Sequence, residues 1–171
     1  MLGLALLTAS RRVAAQTTVI LPDTTQTTTL TASVNDQARV TVPAGVTFTV
    51  NDIASSTTSG AATISVSNIV LATASKQLRM SLQAAAASFT PPVGGATTWA
   101  AGDVTWGAAT WTNASGAAGT LSSAAYNVVA TCTADVSTCS TTGFTLTLAA
   151  NASVKRSGSH TLTVRWKFES I

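Results

Sequence analysis

The chain has 171 residues, nearly half of them Ala, Ser or Thr, and only 9% are charged, giving a net charge of +3. Against a usual charged share of about 25%, that composition excludes a charged helical bundle, a coiled coil and a polybasic nucleic-acid binder. Ile, Leu, Val and Phe together reach about a fifth of the residues, enough for a packed core and too many for ordinary disorder.

Residues 1–15 read MLGLALLTASRRVAA. Leu2 to Ala9 form a short apolar run, and Val13-Ala14-Ala15 place small residues where a signal-peptide cleavage site needs them. The run is far shorter than the ~20 residues that span a bilayer, so no transmembrane segment is expected. No basic residue precedes the run, as expected if the true start lay upstream, and Arg11-Arg12 follow it. Arg11 and Arg12 fall in this leader, so the remaining chain is close to neutral. The expected compartment is the cell surface, the extracellular space or the periplasm.

Residues 16–34 form an extension that is uncharged apart from Asp23. Val19 and Leu21 alternate with other residues, as do Leu30, Ala32 and Val34, which predicts an exchangeable edge strand with a short strand at 30–34. The intervening TTQTTTLT run also fits an O-glycosylated stalk. From residue 35 on the dominant period is two. Val40 and Val42, then Val46, Phe48 and Val50, alternate with Thr and other polar residues. Ile64 and Val66 continue the pattern, but Ile69 and Leu71 fall on the opposite parity. A one-residue slip at Ser67-Asn68 predicts a β-bulge or corner.

Residues 75–88 read SKQLRMSLQAAAAS and fit either a strand through Leu78, Met80 and Leu82 or an Ala-rich helix. The strand is preferred, because strands surround it and Pro91-Pro92 stop it. Residues 91–126 are rich in Gly and Trp and predict an irregular excursion with short strands around VTW and GTL. Further strands are expected at 126–131, through Phe144, Leu146 and Leu148, and through Leu162, Val164, Trp166 and Phe168. The sum is an all-β single β-sandwich of residues 35–171, immunoglobulin-like or jelly-roll-like, with about eight strands and little helix.

Cys132 and Cys139 enclose a short loop and are expected to form a disulfide in an oxidising compartment. Zinc lacks its ligands, since His160 is the only histidine, and a C-x-x-C redox spacing is missing. No catalytic residue, metal site or cofactor is expected. No G-x-S-x-G elbow, P-loop, dinucleotide fingerprint or H-E-x-x-H is found. The acids mostly sit at turns, where an Asp bonds its own backbone. His160 shares the parity of Leu162 and reads as capping the core edge. Trp99, Trp106 and Trp111 have two readings: exposed rings that stack on sugars, or bulky plugs in an Ala-filled core. Asn113-Ala-Ser115 and Asn151-Ala-Ser153 are glycosylation sequons by pattern.

With its leader, small Ala/Ser/Thr-rich sandwich, single disulfide and alternating HTLTVRWKF end, the chain resembles bacterial secreted surface and appendage proteins. Chaperone–usher pilins and spore-coat-like subunits share that outline. The ending Phe168-Glu169-Ser170-Ile171 differs from the usual pilin, which carries an aromatic next to its last residue. The resemblance implies a homopolymer built by strand exchange. The expected function is therefore a non-enzymatic structural subunit of the cell surface or an extracellular filament, with other copies of itself as partner and no nucleic acid. The alternative is a secreted glycan-binding sandwich using the three tryptophans.

Overall fold

A computed structural model describes residues 18–171. The leader at 1–15, and the first two residues of the 16–34 extension, lie outside the described residues. The chain divides into two units, Met1–Ser33 and Val34–Ile171.

In the first unit the described residues contain no strand. Ile20 is 92% exposed and Leu30 91% exposed. Its hydrogen bonds gather on Asp23, whose carboxylate accepts from the Thr25 amide at 2.9 Å and the Thr25 hydroxyl at 2.6 Å. The Gln26 side-chain amide donates to its other oxygen at 2.8 Å. The expected strand at 30–34 is not formed. Alternation supplies a face, but a strand also needs a ladder partner for its N–H and C=O groups.

The second unit is all-β, built as three antiparallel sheets of β-sandwich kind. Its strands are β1 (Gln37–Thr41), β2 (Thr57–Thr58), β3 (Ala62–Val70), β4 (Leu78–Ala84), β5 (Val104–Trp106) and β6 (Ala114–Gly116). They continue as β7 (Gly119–Thr120), β8 (Asn127–Cys132), β9 (Cys139–Phe144), β10 (Thr147–Leu148) and β11 (Val164–Ser170). One 3-10 turn, Ala101–Asp103, leads into β5. The sheet orders are β1-β3-β9, β2-β10-β5-β7 and β11-β4-β8-β6.

Eleven short strands replace the expected eight because the chain changes sheets without losing its alternation. Phe144, Leu146 and Leu148 are all buried, as their period of two requires. Yet β9 ends at Phe144 against β3, and β10 resumes against β5 and β2. The slip at Ser67-Asn68 is a β-bulge. Arg39 pairs with Ser67 and Gln37 with Val70, so β3 holds one extra residue. Asn68 takes φ +52° there, a left-handed conformation that Asn tolerates better than most residues. Beyond it Ile69 turns back to pack on the core.

Residues 75–88 contain β4, a strand and not a helix. Leu78, Met80, Leu82 and Ala84 are buried, with Arg79 and Gln83 half-exposed. Val40 departs from its expected inward role. It pairs with buried Val66 but is 40% exposed, because β1 is the edge of its sheet. Residues 46–50 also depart from expectation: they belong to no strand.

Candidate functional site

An open concavity of the second unit follows from that departure. Within residues 43–50, the stretch 46–50 alternates in burial as a strand would: Val46, Phe48 and Val50 are half-buried, and Thr47 and Thr49 are exposed. They nonetheless lie outside every ladder, and no other backbone–backbone hydrogen bond among the described residues involves them. The segment has the side-chain order of a strand without a backbone partner among the described residues.

The last strand presents the complementary feature. β11 runs antiparallel to β4 from Val164–Ala84 to Ser170–Leu78, and it is the terminal strand of its sheet. The backbone bonds flanking it also lie on the β4 side: the Ala85 amide donates to the Thr163 carbonyl, and Gln77 and Ile171 each donate to the other. Among the described residues its other edge therefore has no strand. Leu162, Val164, Trp166 and Phe168 keep the expected parity but are only half-buried. Trp166 stacks on Phe168 at 6.2 Å between ring centroids and meets Phe144 at 6.0 Å.

Between residues 43–50 and β11 lies an open groove of about 1060 Å³. Val46, Phe48 and Val50 line it from one segment, and Leu162, Val164 and Trp166 from the other. Buried Leu82, Phe144, Leu146 and Leu148 line its base. The loop before β11 closes one end with Arg156 and His160. The groove thus combines apolar side-chain sites with a free strand edge. An extended peptide fits both, since alternate side chains fill sites while its backbone bonds to the edge.

His160 fixes the loop at the groove end. Its Nε2 lies 3.1 Å from the Arg156 carbonyl oxygen, which can only accept, so Nε2 donates. In the neutral ring Nδ1 then accepts from the Thr98 hydroxyl at 2.7 Å. The ring also stands edge-on to Trp99, 5.3 Å between centroids. His160 is a positioning group at the core edge.

The three tryptophans do not form an exposed sugar-stacking platform. Trp99 is 5% exposed and donates its indole N–H to the Ala149 carbonyl at 3.0 Å. Trp106 is 3% exposed. Its ring lies over Gly119, where a Cβ would overlap it. Trp111 is half-buried, and its ring packs beside Gly116, where a Cβ would overlap the Ala109 carbonyl oxygen and press on the indole. Small residues at 116 and 119 make room for the indoles, so the Gly-rich excursion is a device for core packing.

Cys132 and Cys139 form the expected disulfide, with Cα atoms 5.9 Å apart. It joins the end of β8 to the start of β9, and both cysteines are buried. Several carboxylates hold turns: Asp52 accepts from the Ala54 amide at 2.9 Å, and Asp103 from the Ala100 amide at 2.8 Å. Glu169 accepts from Arg79 at 2.7 Å and from Lys167 at 2.5 Å. Those partners, Lys167 first, hold its carboxyl below its ordinary value of 4.5.

Val19, Leu21, Leu30 and Val34, expected to pair between subunits, are exposed, Leu21 at 81% and Val34 at 69%. The groove itself is not legible in the sequence. The alternation of 46–50 and 162–168 reads identically for a strand with two neighbours and for one with a vacant side. No helix among the described residues is long and apolar enough to cross a membrane. Comparison with protein-family models, curated proteins and solved structures finds no match to this chain.

Proposed function

We propose that the protein is a non-enzymatic structural subunit of the cell surface or an extracellular filament, assembled by strand pairing between copies. The groove between the free edge of β11 and unpaired residues 43–50 is the observation that carries this reading. Its occupant is the N-terminal extension of a second copy. That segment has one charge in residues 18–34, alternates apolar residues, and holds exposed Val19, Ile20 and Leu21. It also lacks the charges by which edge strands normally resist association.

Insertion would add a strand beside β11, cover Val164 and Trp166, and supply backbone partners to both sides of the groove. The disulfide is compatible with an oxidising, extracellular setting. Each copy carries one donor segment and one acceptor groove. A heterologous contact of that kind propagates as an open filament when it does not close into a ring.

Deletion of residues 16–26 tests the proposal. A folded β-rich monomer that no longer polymerises is the expected product, seen by circular dichroism, size-exclusion chromatography and negative-stain imaging. Full-length protein that stays monomeric at high concentration, with residues 16–34 cleaved readily by protease, overturns it.

A further inference from the structure

The strand-pairing reading leaves open which way the incoming strand runs and what fixes its register. Residues 18–34 contain a single charged side chain, Asp23. The groove is lined by a single permanently charged side chain, Arg156. Resting on that reading, we propose that Asp23 of one copy seats against Arg156 of the next, so that the donor strand runs antiparallel to β11.

Parity supports the pairing. In an extended chain Val19, Leu21 and Asp23 share one face. With Val19 and Leu21 turned into the groove, Asp23 turns the same way about 7 Å further along. A carboxylate entering an apolar groove is costly unless it meets a cation. An antiparallel donor brings its C-terminal side to the N-terminal end of β11. Leu162, His160 and Arg156 lie at that end, six residues from Leu162 back to Arg156. A parallel donor would carry Asp23 toward the C-terminal end of β11, away from Arg156, the one permanently charged side chain that lines the groove.

On insertion Asp23 exchanges its local hydrogen bonds from Thr25 and Gln26 for the contact, whereas Arg156, among the described residues, has no ion pair to give up. Among the described residues Arg156 takes part in none of the ion pairs, which join Lys76 to Asp36 and both Arg79 and Lys167 to Glu169. Its backbone sits at φ +78°, and its carbonyl is held by His160, so the loop is anchored beside β11. Asp23 stays ionised: hydrogen bonds from Thr25 and then Gln26 hold its carboxyl below the ordinary 3.8. The apolar sites supply the contact area, and the charge pair selects direction and register.

A charge swap in the full chain tests this. The single variants are Asp23→Arg and Arg156→Asp; Asp also suits the positive φ at 156. Each should slow polymer growth, followed by light scattering and imaging, by about tenfold. The double variant should recover to within about threefold of the parent. Thermal melting of each variant as a monomer, with residues 16–26 removed where needed, separates misfolding from lost recognition. Single variants that assemble at the parent rate overturn the inference, as does a double variant no better than the singles. Failure of the parent chain to polymerise, or polymers that survive deletion of 16–26, instead overturns the strand-pairing reading beneath it.

Discussion

β4 and β11 lie side by side in one sheet, carry the same alternation, and end with very different burial. In β4, Met80 is fully buried and Leu82 is 1% exposed. In β11, Val164, Trp166 and Phe168 remain half-buried. β4 has β8 on one side and β11 on the other, whereas β11 has β4 alone. Burial of a strand face therefore depends on its lateral neighbours as much as on its own side chains. Where the neighbour is missing, an equally apolar strand lines a groove.

The largest expected effect compares the closed and open parts of the core directly. Phe144 is 2% exposed and reaches both. Phe144→Ala should cost about 3–5 kcal/mol of monomer stability, as truncation of a fully buried aromatic does. Phe48→Ala, at the groove wall, should cost only about 1 kcal/mol in the monomer, because that ring is half in water already. Its effect on assembly should be much larger. Urea unfolding of both variants, with residues 16–26 removed, checks the contrast. Equal losses at the two sites would mean that the groove is a closed core in solution.

Next in size is the disulfide, which lies away from the groove. Reducing the bond between Cys132 and Cys139 closes no groove site, yet should cost about 2.5 kcal/mol by loop-entropy reasoning. Intact mass should rise by two hydrogen atoms on reduction, and the urea midpoint should fall. Polymer morphology, if the groove alone drives assembly, should survive wherever the monomer stays folded.

The smallest effect belongs to the charged outer face of the β11–β4 pair. Lys167 and Arg79 depress the Glu169 carboxyl. A depressed carboxyl contributes its stabilisation fully above its ordinary value of 4.5, and loses it as pH falls through the lower folded value. The melting temperature of the parent should exceed that of Glu169→Gln at neutral pH, with the gap closing in acid. A gap that is unchanged down to the acid-unfolding limit would show that these ion pairs are too solvated to matter.

Much of the fold was legible in the residues because a β-strand writes its buried face directly into the sequence as a period of two. That period located β3 and its bulge at Asn68, chose strand over helix for residues 78–84, and held through Phe144, Leu146 and Leu148 across a change of sheet. The short spacing of Cys132 and Cys139 likewise sufficed for the disulfide. What alternation does not encode is the partner. Residues 30–34 and 46–50 alternate as well as any strand in the chain, yet neither has a ladder. Trp99 and Trp106 looked available for sugars until the glycines and carbonyls around them made them core.

Sequence alone determined the all-β class, the inward faces and the cross-link, because local stereochemistry and hydrophobicity act residue by residue. Only the tertiary structure decided that β11 ends its sheet, that residues 43–50 face it without a ladder, and that Arg156 stands at the end of the groove between them. Those are relations between segments far apart in the chain. They are set by which backbone edges find each other, and the side-chain pattern of either segment alone carries no record of it.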